Sequence, residues 1–161
     1  MSDLSESQKE LLNKRMIATL ATVDSEGLPH LTSVWFLFDG AYFWFAVSSS
    51  SAKARNLIKN KKMAVMLDSR SAGVEAGISA RGECELVEGE EAAKIKHAIH
   101  SRYLTDEALA DPQVGAVFES FDDFVIRFAP KKWISWDMGE LDQQMFGGKM
   151  AANAYFKPLD V

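Results

Sequence analysis

Residues 46–56 read AVSSSSAKARN, and their types and spacing fit one kind of chemistry, the holding of a small anion. Four consecutive serines, Ser48 to Ser51, offer hydroxyl and backbone N–H donors where a helix is expected to begin, and Lys53 and Arg55 follow at once. The unsatisfied N–H groups of a helix start and the positive end of its dipole favour a phosphate there. Residues 40–67 carry Lys53, Arg55, Lys59, Lys61 and Lys62 and no acid, although the chain as a whole has a net charge of −5. The positive potential is therefore local, which suits a small anion better than a polyanion. The same residues would also make a flexible serine-rich loop before a solvated helix. The segment alone leaves both readings open.

Other candidate groups give weaker signals. His97 and His100 stand three apart and could share a metal, but no carboxylate or cysteine pattern completes such a site, so the pair reads as a solvated helix face and no metal is expected. Cys84, the single cysteine, falls on the apolar side of an alternating stretch and reads as an inert buried thiol. His30 reads as an exposed turn histidine at a strand start. Trp133 and Trp136 fit either plain core or an indole set against a flat ligand. No Rossmann glycine fingerprint, Walker lysine loop, nucleophile elbow or zincin motif is present. No catalytic acid or base is assigned.

The elements that must position these residues follow from turn signals and periodicity. Ser5-x-x-Gln8 and Ser7-x-x-Glu10 both fit a capping box and predict a short helix over about residues 5–14. Strands are expected at 16–23, 30–38 and 42–47, with a type I′ hairpin centred on Asp39-Gly40 joining the last two. Alternation sets Tyr42, Trp44 and Ala46 against Phe43, Phe45 and Val47, so both faces of the third strand are apolar. One face can fill a barrel. The other needs a helix or a second subunit, and a homodimer is expected, with helix cover as the alternative. A helix over 51–59 should stop at Asn60, and strands should follow at 63–67 and 78–87. Residues 89–103 show an amphipathic helix with Ala92, Ile95, Ile99 and Tyr103 on one stripe, supported by a Glu90–Lys94 pair. Pro112 should open a short helix through 114–118. A last strand runs from 123 to 130 and continues through 133–137. Gly147-Gly148 and Pro158 mark an irregular tail over about 138–161, whose Met145, Phe146, Tyr155 and Phe156 could fold over a pocket or a partner.

Size and composition bound the class. A chain of 161 residues, 47% apolar and 25% charged, suits one soluble globular domain spanning 1–161. Net acidity argues against a nucleic-acid partner. The longest uninterrupted apolar run, 41–47, cannot span a bilayer, and residues 1–14 have no apolar signal core, so a cytoplasmic protein without a membrane partner is expected. Six to seven short strands with inserted helices predict a mostly β fold, a small antiparallel barrel with peripheral helices.

Taken together, ATLATVDSEGLPHLTSVWFLFDG, FWFAV followed by SSSSAKARNL, ISARGECELVEG with a helix ending in SRYL, and FVIRFAPKKWISWD resemble the pyridoxamine 5′-phosphate oxidase-like group of split-barrel flavoproteins. The likeness runs from about residue 16 to 137. It implies an FMN-binding split β-barrel that forms a homodimer with its cofactor between subunits. Members of the group use FMN or the deazaflavin F420, and some bind haem. By position, Lys53 resembles the lysine that holds the cofactor phosphate, with Ser51 and Asn56 beside it. Val47 and Ser48 resemble residues lining the ring and ribityl chain. Thr32, Ser33, Val34 and Trp35 occupy the strand whose edge faces the flavin in relatives. Trp136 resembles a C-terminal aromatic that often approaches from the other subunit.

The resemblance thus implies an FMN-dependent oxidoreductase acting on a small conjugated molecule. The alternatives are an F420-dependent reductase, which the five cations and the ending PKKWISWD suit, and a non-catalytic flavin- or haem-binding protein. True pyridoxamine phosphate oxidases carry an arginine and a lysine on the strand that here reads LTSVWF, and an arginine-rich C-terminal ending. This chain has neither, so vitamin B6 oxidation is not expected.

Overall fold

The computed structural model describes residues 4–70, 75–121, 123–153 and 155–157. Helix α1 (Glu6–Asn13) opens on a complete capping box: Ser5 Oγ accepts from Gln8 N, and Gln8 Oε1 accepts from Ser5 N. Strands β1 (Ala18–Val23) and β2 (Pro29–Val34) form a hairpin. Its turn is built on Asp24, whose carboxylate accepts from Glu26 N and Leu28 N at 2.9 Å, and on Gly27 at φ 85°.

The expected strand over 30–38 is two strands. β2 stops at Val34, and β3 (Leu37–Phe38) pairs with β4 (Phe43–Ser48) instead. All pairings are antiparallel, and the sheet order is β2-β1-β5-β6-β7-β4-β3 once β5 (Lys62–Ser69), β6 (Ala76–Val87) and β7 (Asp123–Asp137) are added. β2 and β3 are thus the two edges of one sheet, yet only Trp35 and Phe36 separate them. Three residue steps reach at most roughly 10 Å, so the sheet must curl until its edges nearly meet. The result is a seven-stranded split barrel. Phe36 turns inward at the crossing and is fully buried, while Trp35 turns outward and stacks on Tyr103 at 4.9 Å.

The β3–β4 turn is centred one residue later than expected, on Gly40-Ala41. Asp39 N donates to Tyr42 O, Gly40 has φ 96°, and the Asp39 carboxylate accepts from Ala41 N, Tyr42 N and Trp44 Nε1. Partial burial pushes the Asp39 carboxyl up, but these donors outweigh it and hold it below the usual carboxylate range. A lowered folded-state value stabilises the fold above the unfolded carboxylate range, and that stabilisation is lost as pH falls through the lowered value. Asp39→Asn should therefore flatten part of the acid limb of stability, read as urea midpoints below about pH 4.

The barrel interior holds Phe36, Phe43, Phe45, Val47, Ile126 and Phe128 with Leu20, Val65 and Ile78. Helix α2 (Ala52–Lys59) closes one side through Ala54 and Leu57. The outer face of β4 is covered from within the chain: Trp44, 5% exposed, packs with Val125 against Ala92, Ile95, Ile99 and Tyr103 of α3 (Gly89–Tyr103). Helix cover, the alternative weighed from sequence, is what this face has, so it gives no argument for a second subunit. The Glu90–Lys94 pair on the same helix closes at 2.6 Å. Cys84 is buried at the barrel wall, and its thiol is pushed up to about 11 by desolvation, which keeps it protonated.

The rest departs further from expectation. A helix α4 (Asp106–Ala110), capped by Thr105, was not legible, and α5 (Gly115–Ser120) starts beyond Pro112, which sits in the turn ahead of it. The segment expected to be irregular is helical, as α6 (Met138–Phe146) and α7 (Lys149–Ala152). Asp137 caps the first, Gly147 at φ 61° ends it, and the buried Asp142 carboxylate accepts from Met150 N and Ala151 N to start the second. Met145, Phe146 and Tyr155 stay exposed. Pro158 lies outside the described residues. Among the described residues, no helix is long and apolar enough to cross a membrane.

Candidate functional site

β4 ends at Ser48, and the chain turns through Ser49 and Ser50 into α2. Ser51 N donates to Ser48 O at 3.0 Å, Ser48 Oγ lies 3.0 Å from Ser50 Oγ, and Ser51 Oγ accepts from Ala54 N at 3.2 Å as the helix cap. Arg55 Nη1 donates to Ser50 O at 2.5 Å and braces the turn. The helix has no acid in its first turn, and Lys53, half-buried, has no ion-pair partner among the described residues. A hydroxyl-rich turn, a helix start and an ammonium with no ion pair among the described residues make a donor set with the chemistry to hold a phosphate. Because Ser51 spends its hydroxyl on the cap, Ser51→Ala should cost about 1 kcal/mol of stability, read by urea denaturation. The cap loss would lower the helix start's grip on an anion only secondarily.

Ser48 also lines a cavity of about 710 Å³ with Ser33, Val34, Trp35 and Ala46 on the sheet side and Ile99, His100, Phe118 and Phe121 on the helix side. Four of the residues singled out from sequence, Ser33, Val34, Trp35 and Ser48, thus meet at one concavity. Trp35 is fixed at its wall by stacking with Tyr103 at 4.9 Å and with Phe118 at 5.9 Å, while Tyr103 Oη donates to Met16 O and accepts from Phe36 N. The helix-side residues came from no local signal. Ile99 was legible only as a stripe residue and His100 only as one of a pair.

The other expected site residues are placed differently. Val47 turns its side chain into the barrel core, leaving only its backbone for a ligand. Thr32 sits on the edge strand β2 with its hydroxyl donating to Ser33 O at 3.4 Å, a long bond, and does not line the cavity. Asn56 donates its amide to Thr22 Oγ1 at 3.0 Å, docking α2 on β1. Trp136 lies at the far end of β7, its indole flat over Gly77, where a Cβ would come within 2.0 Å of the ring. Asp123, the β7 residue paired with Ser48, is roughly 40 Å of strand away. Within one chain the two ends do not meet.

His97 and His100 do not share a solvated face. His97 is exposed, but His100 is buried on the cavity wall, because α5 packs over that turn of α3 and brings Glu119 to both imidazoles. Glu119 is partly desolvated, which pushes its carboxyl up, but a hydrogen bond with His97 and the nearness of His100 and Lys96 more than offset this and lower it. Among the described residues, no group of three or more His, Cys, Asp or Glu has the arrangement to hold a metal ion. His30 lies on β2 opposite Thr22, away from the cavity.

The chain is similar to the conserved hypothetical protein Rv2991 from Mycobacterium tuberculosis, at 28% identity over 88% of this chain and 91% of that one, with a TM-score of 0.71. It shares its fold with HutZ, the haem storage protein of Vibrio cholerae, at 19% identity over 81% and 93% of the two chains and a TM-score of 0.65. It also shares it with an F420 reductase, at 23% identity over 81% and 98% and a TM-score of 0.62. No curated protein sequence matches. Residues 4–137 match the family model described as pyridoxamine 5′-phosphate oxidase. The curled sheet and that match over most of its length place this chain in the pyridoxamine 5′-phosphate oxidase-like family of split-barrel proteins.

Proposed function

We propose that the protein is an FMN-dependent oxidoreductase that works as a homodimer on a small conjugated substrate. The observation that carries this reading is the continuity of two surfaces: Ser48 belongs at once to the phosphate-fitting turn before α2 and to the cavity walled by Trp35. The helix start and Lys53 would hold the phosphate, and Ser33, Val34, Trp35 and Ser48 would border the ring. A bound flavin supplies hydride transfer. The chain's own residues bind it, orient its ring and shield the cavity from water. Two copies are needed because Trp136 is far from Ser48 in its own chain, while Ile17 and Phe121 at the cavity, Trp136 at the end of β7 and Leu141, Met145 and Phe146 beyond it all remain exposed. Pairing would bury these surfaces against each other.

A second reading keeps the site but fills it with F420. Lys59, Lys61 and Lys62 are exposed, without ion-pair partners among the described residues, and close in sequence to Lys53. They would meet that cofactor's longer acidic tail. The test is the visible spectrum and extracted mass of the copurifying cofactor, titration of the empty protein with FMN and with F420, and anaerobic reduction by NAD(P)H. Micromolar or tighter FMN binding by a dimer is expected. A monomer with no affinity for either cofactor would overturn the reading, and a Soret band would redirect it to haem.

A further inference from the structure

One wall of the cavity carries chemistry that cofactor binding does not use. His100 lines it with a side chain only 4% exposed, its ring edge-on to Phe118 at 5.1 Å. Its Nδ1 has no hydrogen-bond partner, yet it lies 3.5 Å from Glu119 Oε1. The same oxygen lies 3.3 Å from Nδ1 of His97, one turn earlier on α3, whose side chain is 64% exposed and whose Nε2 is 3.4 Å from Ser101 Oγ. Lys96 Nζ donates to Glu119 O at 2.7 Å and to Phe121 O at 3.2 Å, which pins the end of α5 that presents the carboxylate. A solvent-facing imidazole, a shared carboxylate and a buried imidazole therefore connect the surface to the cavity. Among the described residues, Lys96 on α3 and Asp123 at the start of β7 are also close to them.

We propose that His97, Glu119 and His100 form a proton relay from solvent into the cavity, with His100 as the group that meets the substrate. The proposal rests on the redox reading above and names the substrate class: a conjugated carbonyl or imine. Reducing such a molecule takes a hydride at the electrophilic carbon, which a bound flavin would supply, and a proton at the oxygen or nitrogen that receives the displaced π pair. His100 supplies that proton: its N–H bond breaks, the pair stays on the ring nitrogen, and the new O–H or N–H bond forms on the product. Ile17, Trp35, Ile99, Phe118 and Phe121 give the cavity a largely apolar lining. As the cavity-facing N–H is lost, Nδ1 takes a proton from the Glu119 carboxyl beside it; Glu119 recovers one from solvent through His97, and tautomer exchange of the imidazole after product leaves restores the donor.

Two measurements decide it. In the cofactor-free protein, the Glu119 carboxyl is followed by ¹³C NMR in the parent, His97→Gln and His100→Gln. It should titrate at higher pH in both variants, and His97→Gln, at an exposed position, keeps the fold intact. In FMN-loaded protein, Glu119→Gln should slow reduction of a conjugated enone at least about 100-fold and change the pH profile while leaving FMN affinity unaltered. An unmoved Glu119 titration in both histidine variants, or full rate with an unchanged pH profile in Glu119→Gln, overturns the relay. Failure of the parent to bind FMN overturns the functional reading instead, and the NMR measurement, which needs no cofactor, still decides whether both imidazoles share the Glu119 carboxylate, the contact without which the relay falls.

Discussion

Lys53→Ala is expected to weaken FMN binding about 10- to 100-fold, the equivalent of one charge-assisted hydrogen bond of about 1.5–3 kcal/mol. The ammonium has no carboxylate partner to lose among the described residues, so the substitution removes attraction for an anion without freeing a buried acid. The loss should shrink as salt is raised, because a partly exposed charge pair is screened within about 10 Å at 0.1 M ionic strength. Lys59→Ala, in the last turn of the same helix, is the informative companion. It should leave FMN affinity within a factor of about two and weaken F420 binding if the acidic tail lies along α2. Isothermal titration with each cofactor reads both. An unchanged FMN affinity in Lys53→Ala would move the phosphate away from this corner.

Phe45→Ala should cost about 3–5 kcal/mol of unfolding free energy, a large part of the roughly 5–15 kcal/mol available to a domain of this size. Phe45 is fully buried at the centre of β4, parallel to Phe43 at 6.0 Å between ring centroids, and paired across the ladder with Ile126 of β7. Its neighbours on β4, Trp44 and Ala46, face the other way. The cavity wall should therefore survive in whatever fraction remains folded, and the phenotype should be instability without a change in cofactor affinity. Leu31→Ala on the edge strand, where the side chain is 64% exposed, should change stability by no more than about 0.5 kcal/mol. Urea denaturation of the three proteins checks the ranking. A small effect at Phe45 would mean that the barrel interior is not packed as described.

The sequence by itself determined the features that depend on neighbours a few residues apart. The capping box at Ser5, the cap of α2 at Ser51 with its stop at Asn60, the bounds of α3 at Gly89 and Tyr103 and the alternation of β4 all follow from local hydrogen bonding and periodicity. So does the cationic, serine-rich corner. Only the tertiary structure decided what meets what. The break at Trp35 and Phe36 is forced by closure of the sheet, and the turn beyond it is recentred by the Asp39 carboxylate bonding to Trp44 across the hairpin. Helices α6 and α7 are joined by Asp142 eight and nine residues before its partners. Trp136 is separated from Ser48 by the length of β7, and His100 is buried by Glu119's helix, nineteen residues on along the chain. Local chemistry fixes a residue's conformation and the face it occupies. Burial and proximity depend on contacts between residues far apart in sequence, and no stretch of a few residues contains them.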